Sequence, residues 1–402
     1  MYDMPQHSHS NYSPRDFGVS PLMFYYEVTL ACDLACKHCR ASAQESPHVD
    51  ELSTAAAKAL LDQAAAFPRR PTLVFTGGDP LKRADLPELI RHATAVGLQP
   101  ALTPSATPLA TFEAFERVRA AGVRSLGISL DGADAATHDA FRGFEGSFER
   151  TLQMLDFART LEMPVQVNTT ITRRNVAQVD AIAELLATKG IAMWSVFFLV
   201  PVGRGVEEER ISPAEYETVF ERLWNHSRRQ PYAVKTTEAP HYRRFVLQHG
   251  GDPLAGPDAV HGPSWGGSCT ATPGAAVQLP PQRVIQRRRR APLGVGDGKG
   301  IMFVSHTGEI FPAGFLPIRC GRFPQDSVIE TYQNHSVFRA LREPDGFKGR
   351  CGICEYRRVC GGSRARAFAL TGDFLETDPE CGYQPRGAAV IVHEEHKGHE
   401  EE

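Results

Sequence analysis

Cys32, Cys36 and Cys39 stand in the run Cys-Asp-Leu-Ala-Cys-Lys-His-Cys. Thiolates are soft ligands, suited to zinc and to iron–sulfur clusters. Three of them can hold three irons of a 4Fe–4S cube and leave the fourth iron open to another ligand. Tetrahedral zinc takes four ligands, usually in two pairs, and no fourth Cys or His lies at a matching interval. The chain has nine Cys in 402 residues. At that frequency about 0.005 such triplets arise by chance, so the spacing is informative. The competing reading is a structural zinc or a disulfide knot.

A second set lies near the other end. Cys351 and Cys354 are separated by two residues, Cys360 follows five residues later, and Cys381 comes after twenty more. Four thiolates make either a zinc site or a fully ligated cluster, and spacing alone leaves both open. Cys269 and Cys320 are left over and read as ordinary thiols. Two further motifs can meet a ligand. In Thr76-Gly77-Gly78-Asp79-Pro80 the missing Cβ atoms let the backbone come close. In Ile128-Ser129-Leu130-Asp131-Gly132, Ser129 and Asp131 offer short polar groups, and Asn168 and Arg142 are further candidates. Asp-Gly is also ordinary turn chemistry.

These residues need a scaffold that gathers them. Short apolar runs at 22–30, 72–76, 99–103, 125–130, 165–171 and 194–199 read as strands. Amphipathic stretches at 54–66, 86–96, 111–121, 147–160, 175–188 and 213–229 read as helices, with Ser53 and Asp85 placed to cap the first two. Six such alternations imply an α/β fold, a parallel sheet with helices outside it, curled into a partial (β/α)6 TIM-type barrel. Chemistry in such a barrel sits at the C-terminal ends of the strands. The triplet follows the first strand, Gly77 and Gly78 end the second, and Ser129 ends the fourth. Beyond about residue 230 the rhythm breaks into Gly- and Pro-rich loops, the arginine run 287–290, and a hairpin at 301–305 and 310–313 turning at Thr307-Gly308. The run reads as a solvated loop.

Composition narrows the setting. A net charge of −3 gives no global attraction to nucleic acid or to an anionic membrane, and 42% hydrophobic residues suffice for a large core. Neither a cleavable signal nor a bilayer-spanning run is evident. Nine clustered cysteines suit a reducing compartment, so the expected location is cytoplasmic. Residues 1–19 and 386–402 read as disordered ends, and His393, His396 and His399 as part of a solvated tail.

The triplet resembles the signature of the radical S-adenosylmethionine (radical SAM) enzymes. The resemblance implies that the open iron chelates SAM and that the reduced cluster splits it to methionine and a 5′-deoxyadenosyl radical. Residues 76–80 are similar to the family's Gly-Gly-Glu-Pro, whose backbone receives the SAM amino group, with Asp79 here in place of Glu. Gly77, Gly78, Asp79, Pro80, Ser129, Asp131, Arg142 and Asn168 are then implied as SAM contacts. Cys351, Cys354, Cys360 and Cys381 look like the ligands of a second, auxiliary 4Fe–4S cluster in a C-terminal SPASM or shortened twitch domain. The implied organisation is a radical SAM core at 20–230 and an auxiliary-cluster domain at 231–385. Residues 200–205, 235–241 and 360–367 resemble enzymes of alternative haem and haem d1 biosynthesis, which remove or oxidise carboxylate side chains of a tetrapyrrole. Those enzymes commonly carry Cys where this chain has Ser363. His241, Tyr242 and His306 are candidates for the substrate cavity. A tetrapyrrole is the substrate so implied, and a flavodoxin or ferredoxin the reducing partner. The alternative is a ribosomally made peptide. With thirty-one residues ahead of Cys32, the precursor-binding domain that often begins peptide maturases is not expected. A non-catalytic electron carrier needs neither an open iron nor SAM-contact loops.

Overall fold

The computed structural model describes residues 12–253 and 294–386. Cys269, residues 287–290 and the histidines of the C-terminal tail lie outside the described residues. Seven strands follow one another in the sheet in chain order, all parallel: β1 (Met23–Glu27), β2 (Thr72–Thr76), β3 (Gln99–Leu102), β4 (Ser125–Ser129), β5 (Val165–Ile171), β6 (Met193–Phe198) and β7 (Ala233–Thr237). The sheet therefore runs one strand past the six expected, because Ala233–Thr237 pairs with β6. The pairing of β1 with β2 keeps Glu27 level with Thr76, so the ends that carry the motifs lie flush.

Helices return the chain between strands: α1 (Thr54–Ala65), α2 (Leu86–Ala95), α3 (Phe112–Ala121), α4 (Ala135–Arg142), α5 (Ser147–Thr160), α6 (Val179–Ala187), α7 (Pro213–Arg229) and α8 (His241–Gln248). Ser53 caps α1 by accepting from the Ala56 N–H at 3.2 Å. Asp85 stands at the start of α2 but makes no cap there. Its carboxylate accepts from Arg83 Nε and Thr54 Oγ1, both at 2.7 Å. A guanidinium beside it outcompetes the weaker amide donors.

The core lies between sheet and helices. Phe24, Leu73, Phe75 and Val167 from the strands pack with Leu60, Leu61, Leu89, Ile90 and Ile182 from the helices, all fully buried. Each such side chain contributes about 1.5–3 kcal/mol of burial.

The rest of the chain builds onto the same sheet. β8 (Ile301–Val304) pairs in parallel with β1 on the side away from β2. The hairpin expected here is present: β9 (Glu309–Phe311) pairs antiparallel with β8, and β10 (Gly321–Arg322) with β9. The full order is β10-β9-β8-β1-β2-β3-β4-β5-β6-β7, and β7 and β10 are its edges. Helices α9 (Val328–Asn334), α10 (Ser336–Arg342), α11 (Gly349–Ile353) and α12 (Arg364–Thr371) complete the described chain. Residues 12–19, expected to be disordered with those before them, are built into this part. Phe17 is buried, and its carbonyl accepts from the Tyr332 hydroxyl at 2.8 Å.

Candidate active site

At the C-terminal ends of the strands a cavity of about 270 Å³ is lined by all three cysteines of the first triplet. Cys32 and Cys36 are buried. Backbone amides point at two of the sulfurs: Leu34 N donates to Cys32 Sγ and Ala43 N to Cys39 Sγ, each at 3.4 Å. Arg142 Nη1 approaches Cys36 Sγ at 3.8 Å. Burial pushes the Cys32 thiol up to about 11 and raises Cys36 as well, where Arg142 opposes the effect. These thiols therefore need a metal's charge to ionise. Sulfurs ringed by N–H donors fit a cluster, whose sulfur ligands take such bonds. Among the described residues, no three Cys, His, Asp or Glu stand close enough together to hold a single metal ion.

The loop that carries the triplet is clamped from more than 160 residues away in sequence. Arg204 Nε donates to the Cys36 carbonyl and Nη1 to the Ala43 carbonyl, each at 2.9 Å, while Arg204 N reaches the Cys39 carbonyl at 3.0 Å. Gly203 makes this approach possible. Its φ is +56°, and a Cβ there would lie 2.4 Å from the carbonyl oxygens of both Cys39 and Arg40. This is the site of the Val-Pro-Val-Gly-Arg-Gly run, and nothing in its composition signals a clamp.

Gly77 and Gly78 line the cavity beside the triplet. A Cβ on either would meet the backbone that follows β1, 2.4 Å from Thr29 O or Ala31 O. Ser129, Arg142 and Asn168 line it too, so Gly77, Gly78 and these three are brought together with the cysteines. Asp79, Pro80 and Asp131 are not in its wall. Asp79 is fully buried and accepts from Thr107 Oγ1 at 2.6 Å and from Leu81 N at 3.1 Å, which holds the turn after β3 in place. Asp131 is also fully buried, ion-paired to Arg142, and accepts from Thr170 N at 2.6 Å. Burial alone would raise its pKa, but Arg142 and His38 hold it below the usual carboxylate range. Its part is to aim Arg142, which faces both the cavity and Cys36.

His241, Tyr242 and His306 do not line the cavity either. His306 Nδ1 bonds the buried Glu27 carboxylate at 2.7 Å, and Glu27 also pairs with Arg40 at 3.0 Å. His241 stacks on Tyr216, 5.3 Å between centroids. Cavity residues that sequence reading missed include Ser105, whose hydroxyl is 3.7 Å from Cys32 Sγ, and an aromatic group, Tyr25, Phe197, Phe303 and Phe315. Glu238 and Asp297, also missed, complete that wall.

The second cysteine set is gathered as well. Cys351, Cys354, Cys360 and Cys381 line one small cavity of about 30 Å³. Arg364 Nη2 donates to Cys351 Sγ and Gly362 N to Cys360 Sγ, each at 3.4 Å. Burial raises Cys354, Cys360 and Cys381, the last to about 11. The four thiols and their N–H donors have the chemistry of a cluster site with no ligand position left over. Cys320 lies apart from it. Its thiol donates to the Ile318 carbonyl at 3.4 Å, and burial pushes it up to about 12.

A partial α/β barrel whose strand ends gather three cysteines, two of them buried, and a glycine pair defines a barrel enzyme of iron–sulfur type. Comparison with known proteins gives the family. The model of the radical SAM superfamily matches residues 26–186. An AdoMet-dependent heme synthase of Methanosarcina barkeri is 39% identical over 366 residues, 91% of this chain and 97% of that protein. A PqqA peptide cyclase of Bradyrhizobium diazoefficiens is 25% identical, over 92% of this chain and 88% of that one. In fold the chain is similar to Streptococcus suis SuiB bound to S-adenosylmethionine, with a TM-score of 0.65 at 13% identity, covering 91% of this chain and 78% of that one. The chain belongs to the radical SAM superfamily, whose enzymes use a 4Fe–4S cluster and SAM. No described helix is long and apolar enough to cross a membrane.

Proposed function

We propose that this enzyme modifies the carboxylate side chains of a tetrapyrrole, as a haem-forming radical SAM enzyme. When bound, the cluster and SAM supply a 5′-deoxyadenosyl radical that abstracts hydrogen. Cys32, Cys36 and Cys39 hold that cluster, Gly77 and Gly78 give SAM a close backbone, and Ser129, Asn168 and Arg142 orient it. The aromatic side chains of the cavity exclude water and give a flat conjugated ring surfaces to stack on. The observation that carries the reading is the near full-length similarity to a haem synthase, well above that to the peptide cyclase. Residues 20–230 act as the radical SAM core and 231–385 as the auxiliary-cluster domain, with Cys351, Cys354, Cys360 and Cys381 holding a second 4Fe–4S cluster. The reducing partner is a flavodoxin or ferredoxin, and the compartment is the cytoplasm.

The test is anaerobic turnover of reconstituted protein with SAM, dithionite and iron coproporphyrin III. The expected result is a change in the porphyrin spectrum toward haem, with 5′-deoxyadenosine formed in step. The triple variant Cys32→Ala, Cys36→Ala, Cys39→Ala should form none. Deoxyadenosine formation with the porphyrin unchanged, and modification of a precursor peptide instead, would move the substrate to the maturase class.

A further inference from the structure

Where β7 ends, Glu238 stands in a left-handed backbone conformation, φ +57°, which costs a non-glycine residue free energy and aims its side chain into the cavity wall. Asp297 lines the same wall, and its carboxyl interacts with that of Glu238. Asp297 is 7% exposed, and its Oδ2 accepts from Ala365 N at 2.9 Å. Ser363 Oγ donates to Glu238 Oε2. Two carboxyl groups so close cannot both be ionised without strong compensation. The nearby cations supply only part of it. Arg366 is engaged by both oxygens of Asp378, at 2.9 and 2.8 Å. Arg364 is directed to the Phe374 and Glu376 carbonyls and to Cys351 Sγ. Tyr25, facing Glu238 from β1, adds no positive charge.

We propose that the Glu238–Asp297 pair is a substrate subsite, which donates a hydrogen bond from its one retained proton to a carboxylate side chain of the tetrapyrrole. The proposal rests on the tetrapyrrole reading above. A neutral acid suits this task because it meets an anion without adding charge to an enclosed, aromatic wall. Arg40 and Arg142, the arginines of the same cavity, are already paired with Glu27 and Asp131. Burial first, and then Asp297, push Glu238 up to about 8, so the pair holds its proton at neutral pH and loses it in mild alkali. Burial raises Asp297 also.

The experiment titrates iron coproporphyrin III into reconstituted holoenzyme and follows the porphyrin spectrum across that pH range, alongside KM and kcat. Wild type should bind more weakly as pH rises through about 8. Glu238→Gln, whose amide keeps a donor and cannot ionise, should bind as wild type does at neutral pH and show no alkaline loss, whereas Asp297→Asn, which leaves Glu238 buried and ionisable, should keep the loss and move it to lower pH. Glu238→Ala should weaken binding roughly tenfold to a hundredfold at neutral pH, the range for a hydrogen bond to a charged group, with KM raised more than kcat is lowered. Wild-type affinity that does not change with pH, or Glu238→Gln failing as Glu238→Ala does, overturns the subsite. A wild-type protein that binds no tetrapyrrole at any pH overturns the tetrapyrrole reading, and the subsite with it.

Discussion

Replacing Asp131 by Asn tests whether the site's cation is held by charge. Asp131 is completely buried and the Arg142 side chain is 12% exposed. The substitution preserves shape and leaves Oδ1 free to accept from Thr170 N, so what is lost is the counter-charge. Removing one partner of a buried pair costs about 3–5 kcal/mol, because the other charge stays desolvated. Arg142 keeps some contact with the cavity, which places the expected loss near the lower end, about 3 kcal/mol. For a folded chain of this size the unfolding entropy is roughly 0.7 kcal/mol per kelvin, so the apparent midpoint should fall by about 4 °C. The assay is calorimetry at fixed scan rate on anaerobic holoprotein. The double variant Asp131→Asn, Arg142→Met should recover most of the loss, since it removes the stranded charge. An Asp131→Asn midpoint within about 1 °C of wild type, or a double variant no better than the single, would refute the reasoning.

Four further outcomes are expected. Reconstituted protein should carry about eight irons, two cubes, and a value near four would remove the auxiliary cluster. In the double variant Cys354→Ala, Cys360→Ala, soluble protein that keeps the first cluster should still cleave SAM without forming product. Product at the wild-type rate would make the second set purely structural. Gly203→Ala should lower iron retention by the first triplet, because its Cβ meets two carbonyl oxygens of the cluster loop. Unchanged iron content would show that the loop gives way freely. Glu238→Gln should flatten the pH dependence of stability. A carboxyl with a raised folded pKa stabilises fully below its unfolded value, about 4.3, and that contribution is lost as pH rises to about 8. Midpoints at pH values near those two ends, for variant and wild type, decide it.

The chemistry of the site was easier to read from the sequence than its geometry. Thiol spacing is set by the cluster a loop must wrap, so Cys32, Cys36 and Cys39 announce themselves. Most strands were legible because an apolar run buried on both faces has few other uses. Asp79 and Asp131 looked like ligand contacts because a short polar group at a strand end does either job. Only the partners Thr107 and Arg142 show which. Arg204 and Glu238 fell in runs noted only for their family likeness, which gave no hint of their contacts, and Asp297 left no trace in local pattern. Each acts on residues distant in sequence, a relation that periodicity and motif spacing do not encode. The short helix α4, which carries Arg142, escaped notice because eight residues give too little amphipathic pattern.

The parallel pairing of β8 with β1 has a consequence for any attempt to divide this protein. The strand that leads into the first cysteine loop has its outer hydrogen-bonding edge satisfied by residues nearly 280 positions later, Met23 opposite Ile301 and Tyr26 opposite Val304. A fragment ending between β7 and residue 301 would keep the triplet and the glycine pair, yet would leave the outer side of β1 as a bare edge with a row of unpaired amides and carbonyls. Such an edge is a template for pairing with another chain. Folding of the cluster loop is therefore tied to synthesis of the C-terminal part, and the first cube acquires its mature surroundings only after the hairpin has docked.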